Sequence, residues 1–284
     1  MCGNRLGEDR IKEFLREDMG QGDITSEALV DEGQAARARL YFREEGVTAG
    51  LEEGRAIFEI LGCNVKLLVG GGVHVPAGGT LMEVEGPARS LLSGERTALN
   101  IVGRMSGIAT AVARAQGVAS KVNPSVRVAA TRKTVPGLRA LDKRAVELGG
   151  GDTHRFRLDD CVLIKDNHLE LVPSISEAVR KARERVSFTK KIEIEVRNVE
   201  QAAEAAEAGA DIVMFDNMAP EEVRGCLAVL QERGFREGRL FEASGGITLE
   251  NLADYAASGV DIVSMGVLTH SVRSLDVKLE IEMV

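Results

Sequence analysis

The sequence predicts an α/β protein in which a small N-terminal α+β unit precedes an α/β barrel, complete or not, of six strands or so. Short strands with alternating apolar residues, together with an amphipathic helix, occupy the first part of the chain. From about residue 125, apolar runs of four to six residues alternate with helical segments, which is typical of a parallel sheet covered by helices. Polar residues follow nearly every apolar run, as they do at the rim of a barrel.

Length and composition limit the functions that the chain can have. With 284 residues and 44% apolar side chains, it can bury one large core or two smaller ones. The formal net charge of −8, the aromatic content of 4% and the lack of tryptophan argue against a nucleic-acid-binding surface. No run of 18 apolar residues is present, so no membrane-spanning helix is expected. Any anion must therefore be bound by a local group of cations.

The first residues and the cysteines predict a cytoplasmic protein. The segment MCGNRLGEDRIKEFLRED is charged and has helical periodicity, unlike a secretory signal peptide. Cys2, Cys63, Cys161 and Cys226 are widely separated and include no C-x-x-C pair. Neither structural disulfides nor a zinc site is therefore expected.

Residues 1–110 are expected to form the small N-terminal α+β unit with its linking helices. Helices are predicted over 6–19 and 50–62, and strands over 35–42, 64–69 and 80–86. Residues 88–121 are rich in alanine and predict two helices separated near Ser106-Gly107. Alternating apolar residues within 272–284 predict a last strand that returns to the sheet of this first domain.

Residues 111–271 are expected to form the barrel with its catalytic rim. Strands are predicted over 126–130, 161–164, 192–196, 211–215, 240–243 and 261–265, and helices over 174–186, 198–208, 219–233 and 248–257. The same alternation fits a doubly wound sheet, which would place its site mainly at one switch point. The polar residues after successive strands favour the barrel, because those positions converge on the carboxyl rim.

Basic residues lie at the ends of two predicted strands, in position to bind anions. Arg132 and Lys133 follow the first barrel strand, whereas His154 and Arg155 precede the next strand and Lys165 closes it. Arginine grips a carboxylate or phosphate at two points, and lysine supplies a mobile charge. The alternatives are a solvated turn at residues 132–133 and, for Lys165, a side chain that simply emerges at the surface.

Two carboxylates and a helical arginine are further candidates. Glu195 and Asp216 lie near the ends of neighbouring strands, where they suit a ribose diol or Mg²⁺, unless they pair with a nearby arginine. Arg96 is placed in the first turn of a helix predicted to begin at Ser93, where a cation does not complement the helix dipole. Such an arginine needs an anionic partner, which is either a ligand, an acid on another chain or the adjacent Glu95.

A glycine turn after the fifth barrel strand predicts a phosphate site. The segment SGGITLEN (244–251) runs from this turn into a helix, so that its free backbone N–H groups and the helix dipole favour an anion. The segment GVLTHS (266–271) follows the last barrel strand and is expected to complete the site. A Gly-Gly turn is generic when taken alone.

Taken in order, these segments resemble the quinolinate phosphoribosyltransferase family. The resemblance covers nearly the whole chain, through GDITS (22–26), SGERTALN (93–100), SGIAT (106–110), TRKTVPGLR (131–139), GGGDTHRFRLDDCVLIKDNH (149–168), EVRN (195–198), GADIVMFDN (209–217), SGGI (244–247) and GVLTHS. TRKT-x-PGLR joined to GGGD-x-HR and LIKDNH is highly specific. One position departs from the family pattern, since Ala130 stands where the family usually has an acidic residue before TRKT.

The resemblance implies a type II phosphoribosyltransferase-like fold, in which a small N-terminal α/β sandwich with linking helices (1–110) precedes an incomplete α/β barrel. It also implies a function in NAD biosynthesis. The implied reaction transfers phosphoribosyl from phosphoribosyl pyrophosphate to quinolinate with decarboxylation, giving nicotinate mononucleotide, CO₂ and pyrophosphate. The implied assembly is a homodimer with shared active sites, and further assembly to a hexamer is left open. Mg²⁺ is expected to be bound mainly through the substrate, with Glu195 and Asp216 as candidate protein ligands.

The resemblance also implies a role for each candidate site residue. Arg132, Arg155 and His154 would hold the two carboxylates of quinolinate, with Arg96 reaching in from the neighbouring chain. Lys133 and Lys165 would serve the substrate carboxylates and the pyrophosphate, while Glu195 and Asp216 would meet the ribose hydroxyls and Mg²⁺. The phosphate would be bound by Ser244, Gly245, Gly246, Gly266 and His270.

Three other functions remain open at this point. A Schiff-base enzyme would use Lys165 or Lys133 as its nucleophile. A related phosphoribosyltransferase-like protein, such as the homologues associated with molybdenum transport genes, would act on another substrate, although the complete TRKT and HR motifs disfavour it. A non-catalytic anion sensor would bind quinolinate and release neither CO₂ nor pyrophosphate.

Overall fold

A computed structural model describes residues 7–283 of the protein. Cys2 and the first residue of the helix predicted over 6–19 lie outside this range. The chain divides into two units, the first formed by 7–113, Val135–Gly150 and 271–283, and the second by Arg114–Thr134 and Gly151–His270. This division differs from the predicted boundaries, because residues 135–150 were expected in the barrel.

The first unit contains a four-stranded antiparallel sheet with helices, and a two-stranded ribbon. Its helices are α1 (Glu8–Met19), α2 (Ile24–Leu29), α3 (Leu51–Ile60), most of α4 (Ala88–Val122) and α5 (Arg139–Leu148). Its strands are β1 (Ala35–Phe42), β2 (Gly46–Val47), β3 (Asn64–Leu67), β4 (His74–Val75), β5 (Thr80–Pro87) and β12 (Val277–Met283). The larger sheet has the order β12-β1-β5-β3.

Alternation determines which face of this sheet is buried. In β1, Ala36, Ala38, Leu40 and Phe42 are buried, whereas Arg37 and Arg39 lie on the solvent face beside carboxylates of β5 and β12. The C-terminal strand β12 pairs antiparallel with β1, with Leu40 opposite Leu279. The last strand of the chain therefore completes the sheet of the first unit.

Helix α4 is continuous over 35 residues, so the predicted break near Ser106-Gly107 is wrong. The glycines allow a close approach of chain instead. A Cβ at Gly107 would lie 2.1 Å from the carbonyl oxygen of Arg273, and one at Gly103 would lie 2.9 Å from that of Leu275. Glycines four residues apart share one helix face, and the chain leading to β12 crosses α4 along that face.

No helix of the described chain is long and apolar enough to cross a membrane.

A buried ion pair explains why residues 135–150 belong to the first unit. The guanidinium of Arg104 on α4 donates from Nε and Nη2 to the two carboxylate oxygens of Asp142 on α5, at 2.9 Å each. The carboxylate of Asp142 is fully buried. A buried carboxylate needs such a bidentate partner, so α5 is fixed against α4.

The second unit is a six-stranded parallel sheet with helices between its strands. Its strands are β6 (Arg127–Ala129), β7 (Val162–Ile164), β8 (Ile192–Val196), β9 (Ile212–Asp216), β10 (Leu240–Ser244) and β11 (Ile262–Ser264). Its helices, besides the end of α4, are α6 (Asp166–Leu169), α7 (Ile175–Arg185), α8 (Val199–Glu207), α9 (Pro220–Glu232), α10 (Leu252–Ala257) and α11 (Val267–His270). The strand order is β6-β11-β10-β9-β8-β7.

This sheet curls into an incomplete barrel. Beside the edge strand β6 runs a short segment in which Asp152 bridges to Ala129, and His154 follows two residues later. In a flat sheet β6 would lie four strand spacings, or about 19 Å, from β8, and the segment beside β6 that carries His154 would be at least as far away. The ring of His154 nevertheless lies 3.3 Å from Glu193 on β8. The sheet must therefore bend round on itself, although β6 and β7 do not pair.

Candidate active site

Strand register brings five polar side chains to one face at the carboxyl edge of the barrel. Glu193 points to the interior, and because side chains alternate along a strand, Glu195 points there also. Residues that are paired across parallel strands point to the same face of the sheet. The strand register therefore shows which residues of the neighbouring strands share the interior face with Glu195. The interior-facing residues at the ends of the strands are Lys165, Glu195, Asp216, Ser244 and Ser264. The opposite face is apolar, with the rings of Phe215 and Phe241 stacked at 6.1 Å.

Three of the candidate cations form no ion pair within the part of the chain that the structure describes. They are Arg132 and Lys133 after β6, and Arg155 before β7. Arg132 is half-buried, and its Nε atom is buried without a hydrogen-bond partner among residues 7–283. Arg155 is also half-buried and donates from Nη1 to the carbonyl oxygen of Cys161 at 3.2 Å. Half-buried guanidinium groups without a carboxylate partner are suited to an anionic ligand.

The other half of the edge carries paired charges. The ammonium of Lys165 contacts the carboxylate of Glu195, whose side chain is 12% exposed. Arg197, directly after β8, donates to Asp166 at 2.9 Å and lies 3.8 Å from Asp216. Carboxylates and cations thus alternate across the ends of β7, β8 and β9. Lys165, which was predicted to close a buried apolar run, therefore lies in the site region. Its partner is Glu195, the carboxylate predicted on the neighbouring strand.

The turn after β10 is shaped by two glycines with positive φ, at +97° for Gly245 and +62° for Gly246. A Cβ at Gly245 would lie 2.3 Å from the amide oxygen and 2.9 Å from the backbone nitrogen of Asn217. The N–H of Asn217 donates to the carbonyl of Ser244 at 2.9 Å. Glycine is therefore required where the turn after β10 crosses the end of β9. The helix that follows, α10, begins only at Leu252, later than the sequence suggested.

Lys133 and His270 meet over Gly266. A Cβ at Gly266 would lie 3.1 Å from Cδ of Lys133 and 3.1 Å from Cδ2 of His270. The hydroxyl of Thr269 donates to the carbonyl oxygen of Lys133 at 2.9 Å, which joins α11 to the segment after β6. Three candidate residues from two separate motifs thus lie together, and a side chain at Gly266 would compete for the same space.

His154 points into the barrel, not out of it. Its Nε2 lies 3.3 Å from both Glu193 and Glu242, whose carboxylates are fully buried. Its Nδ1 accepts the backbone N–H of Arg155 at 2.8 Å, and the residue itself has a positive φ of 52°. Both ring nitrogens therefore have partners inside the protein. In this arrangement neither ring nitrogen of His154 is free for the predicted contact with a carboxylate of the ligand.

The charge state of this cluster follows from its burial and hydrogen bonds. Burial favours the neutral ring, but hydrogen bonds and charge from Glu193 and Glu242 outweigh it and raise the pKa of His154 to about 10. Burial raises the pKa of Glu193. The bond to Nδ1 works against the charged ring, because it forms only while Nδ1 lacks a proton. Nε2 carries a proton in either state.

The same cluster also has the composition of a metal site. The ligand atoms of His154, Glu193 and Glu242 all lie within 4.8 Å of one another. A metal would need a bare Nε2, however, and Nδ1 would then have to carry the proton and give up the N–H of Arg155. The observed hydrogen bonds fit a shared proton better than an ion. The cluster anchors the backbone that carries Arg155.

Arg96 is exposed and lies well inside α4, eight residues after its first residue. The prediction that it occupies a first helical turn is wrong, because the helix begins at Ala88. The side chain forms no ion pair with any residue among 7–283. The argument from the helix dipole therefore fails, but Arg96 remains a surface cation without a described carboxylate partner.

Sequence reasoning also missed residues of the site region, among them Glu242 and Ser264. Glu242 is a fully buried carboxylate in the apolar run LFEAS, and it lies 3.3 Å from Nε2 of His154. Ser264 is 2% exposed, and its hydroxyl has no hydrogen-bond partner among the residues that the structure describes. A charged residue inside an apolar strand was the available signal for Glu242. Serine in a strand is too common to be singled out.

Two family models match consecutive parts of the chain. The model described as quinolinate phosphoribosyl transferase, N-terminal domain, matches residues 23–106, and the C-terminal domain model matches residues 108–280. A probable nicotinate-nucleotide pyrophosphorylase (carboxylating) of Methanothermobacter thermautotrophicus is 48% identical over 273 residues, covering 96% of this chain and 98% of the relative. The corresponding human protein, nicotinate-nucleotide pyrophosphorylase (carboxylating), is 40% identical over 271 residues, with 95% and 90% covered.

A solved structure agrees with the fold as well. NadC from Streptococcus pyogenes superposes with a TM-score of 0.91 at 34% identity, covering 98% of this chain and 96% of that chain. The architecture of a sheet domain and a six-stranded parallel α/β unit, predicted from the sequence, is therefore confirmed.

Proposed function

The chain belongs to the quinolinate phosphoribosyl transferase family, and we propose that it transfers phosphoribosyl from phosphoribosyl pyrophosphate to quinolinate. In this reaction the pyridine nitrogen attacks the anomeric carbon of ribose and pyrophosphate leaves. The positive charge of the alkylated ring then stabilises the carbanion left at C2 as the adjacent carboxylate departs as CO₂, and a proton from solvent at C2 gives nicotinate mononucleotide. The observation that carries the proposal is that three cations, Arg132, Lys133 and Arg155, have no carboxylate partner among the residues that the structure describes.

Arg132 and Arg155 bind the two carboxylates of quinolinate. Both are half-buried guanidinium groups that keep donors unused by described residues. Partial burial strengthens a charge-assisted hydrogen bond, since less water competes for it. His154 acts as a positioning residue for Arg155, because its ring is anchored on Glu193 and Glu242 while its Nδ1 holds the backbone N–H of Arg155.

Lys133 and the two glycine turns bind the phosphate of the sugar. Lys133 lies over Gly266 beside His270, and the turn of Ser244, Gly245 and Gly246 lies at the neighbouring strand end. Backbone N–H groups of a glycine turn and one mobile ammonium together suit a phosphate, which has several acceptor oxygens. A Cβ at Gly245 or Gly266 would fill the space next to this group.

Glu195 and Asp216 serve the ribose. They lie on adjacent strands, and both face the interior of the barrel. Carboxylates accept hydrogen bonds from ribose hydroxyls, and their charge stabilises the positive character that develops on the sugar as pyrophosphate leaves. Lys165, held on Glu195, supplies positive charge for the leaving group. No covalent nucleophile is required, and catalysis rests on orientation and electrostatics.

The residues at this edge also fit Mg²⁺. The available donors are carboxylate oxygens of Glu195, Asp216 and Asp166, which are the hard ligands that Mg²⁺ prefers. Glu195 and Asp216 would hold the ion together with oxygens of phosphoribosyl pyrophosphate. When bound, the ion neutralises charge that accumulates on the departing pyrophosphate.

We place the chain in a homodimer with shared active sites, in which Arg96 of one protomer reaches the site of the other. The support is that Arg96 is exposed on α4 and has no carboxylate partner among the described residues. A cytoplasmic location fits the free thiols of Cys63, Cys161 and Cys226.

A Schiff-base mechanism finds less support. A nucleophilic lysine must lose its proton, which burial or neighbouring cations favour. Lys165 has a carboxylate partner and a side chain that is 42% exposed. Lys133 is exposed as well. Neither lysine has the surroundings that this chemistry needs.

The deciding experiment measures products directly. Purified protein is incubated with quinolinate, phosphoribosyl pyrophosphate and Mg²⁺, and CO₂, nicotinate mononucleotide and pyrophosphate are each quantified. Equal amounts of all three support the proposal. Binding of quinolinate without products would identify an anion sensor, and turnover with nicotinate but not quinolinate would identify a different transferase.

A further inference from the structure

Arg197 connects acidic groups at the ends of two strands, and the proposed function assigns it no role. It is the first residue after β8, and its Nη2 donates to Asp166 at 2.9 Å, beyond the end of β7. The same nitrogen lies 3.8 Å from Asp216 at the end of β9. One guanidinium thus spans the two carboxylates that flank Glu195.

This contact is unsuited to a stabilising role. The side chain of Arg197 is 60% exposed and that of Asp166 is 51% exposed. Ion pairs with such exposure contribute little to stability, because water screens them and both side chains lose freedom. A similar pair, Arg183 with Asp211 at 2.8 Å, lies at the opposite edge of the barrel, before β9. It offers a matched control for the effect of charge at the carboxyl edge.

The charge balance of this half of the edge depends on Arg197. Lys165 and Arg197 face the three carboxylates of Glu195, Asp166 and Asp216, so the group carries one excess negative charge. Without Arg197 it would carry two. A guanidinium beside Asp216 therefore opposes a bare divalent cation at that carboxylate, by like-charge repulsion and by competition for the oxygen.

The remaining donors of Arg197 favour an anion. Its side chain donates one hydrogen bond, from Nη2, so Nε and Nη1 have no partner among the residues that the structure describes. A planar guanidinium binds phosphate oxygens in a fork. Arg197 thus repels a bare divalent cation, whereas it attracts the anionic complex that the cation forms with pyrophosphate.

We propose that Arg197 is a built-in counter-ion of the acidic half of the site, which makes divalent-cation binding depend on the pyrophosphate group of the substrate. The free protein binds the cation weakly, and the cation enters together with its pyrophosphate ligand, whose oxygens meet Arg197. This rests on the proposed function, because it takes Asp216 as a ligand of that cation. Arg197 touches the substrate in this account and also keeps Asp216 unoccupied until the substrate arrives.

The test uses Mn²⁺ as the probe and the full-length protein. Free Mn²⁺ is measured by electron paramagnetic resonance during titration of wild type, Arg197→Ala, Arg197→Lys and Arg183→Ala. Arg197→Ala should bind Mn²⁺ roughly tenfold more tightly than wild type, as expected for loss of a unit charge near a divalent ion. Arg197→Lys and Arg183→Ala should stay within about twofold of wild type, because one keeps the charge and the other removes it elsewhere.

A second arm adds inorganic pyrophosphate and measures binding of the Mn²⁺–pyrophosphate complex by calorimetry. Arg197→Ala should bind this complex about fivefold or more weakly than wild type, through loss of charge-assisted hydrogen bonds. Unchanged or weaker Mn²⁺ binding by Arg197→Ala, absence of Mn²⁺ binding in every variant, or unchanged affinity for the complex would each overturn the proposal. Neither arm uses quinolinate or turnover, so these results are separate from success or failure of the product assay.

Discussion

The guanidinium of Arg155 donates to the carbonyl oxygen of Cys161 at 3.2 Å and forms no ion pair with any carboxylate in the described chain. One donor of the fork is therefore fixed to the backbone beside β7, and the others remain for a ligand. A fixed guanidinium loses less conformational entropy on binding than a mobile one, which favours recognition of a rigid dicarboxylate.

Arg132→Ala and Arg155→Ala should weaken quinolinate binding far more than phosphoribosyl pyrophosphate binding. Each change removes a charge-assisted contact worth roughly 1.5–3 kcal/mol, which corresponds to about tenfold to more than a hundredfold in affinity. Titration calorimetry with each ligand separately measures the two effects. Arg157→Ala is the control, because Arg157 is exposed and pairs with Asp159. Equal losses for both ligands would contradict the division of roles.

Gly245→Ala should impair phosphoribosyl pyrophosphate binding. The φ of +97° is costly for alanine, and the new Cβ would meet the amide and backbone of Asn217. We expect KM for phosphoribosyl pyrophosphate to rise by about tenfold or more, with a smaller effect on KM for quinolinate. Gly225→Ala on α9, where nothing lies within 4 Å of the added Cβ, is the matched control. A rise in both KM values alike would show a general loss of structure.

Mixing two inactive variants tests the shared site. If Arg96 acts across a dimer interface, an Arg96→Ala chain combined with a Lys165→Ala chain forms some sites that contain both intact residues. Random exchange should restore roughly a quarter of wild-type activity, since one site of each mixed dimer is complete and half of the dimers are mixed. Subunit exchange is verified by native mass spectrometry. No rescue in a verified mixture would remove Arg96 from the site of its neighbour.

Stability should depend on pH through His154. Its pKa is raised to about 10 in the folded chain, against burial, by Glu193 and Glu242. A raised native pKa contributes stability that is complete below the unfolded value near 6.5 and is lost as pH rises through about 10. The unfolding free energy of wild type minus that of His154→Gln should therefore fall by at least about 1 kcal/mol between pH 6 and pH 10. Urea titrations at several pH values measure it, and a constant difference would argue for a neutral ring throughout.

Much of the fold could be predicted because burial imposes a period on the sequence. The alternation in AARARLYF predicted a strand over 35–42, and β1 has these bounds. The parallel strands were predicted from apolar runs, and the return of the C-terminal strand to the first sheet is observed in β12. These features depend on local periodicity, which sequence displays directly.

Other features depend on contacts between distant segments. Gly107 in α4 looked like a helix break, but it is the place where the carbonyl of Arg273 passes over the helix. The inward orientation of His154 depends on Glu242, which is 88 residues later in the chain. No local pattern indicates that these two residues meet. The composition of the site could therefore be predicted, whereas the partners of its residues could not.

The most direct test of the account is a crystal structure of the protein with quinolinate bound. The account predicts that the two carboxylates contact Arg132 and Arg155 at the carboxyl edge of the barrel, with the ring nitrogen facing the side of Glu195 and Asp216. Quinolinate bound away from both arginines, or held by only one of them in a site that excludes Glu195, would contradict it.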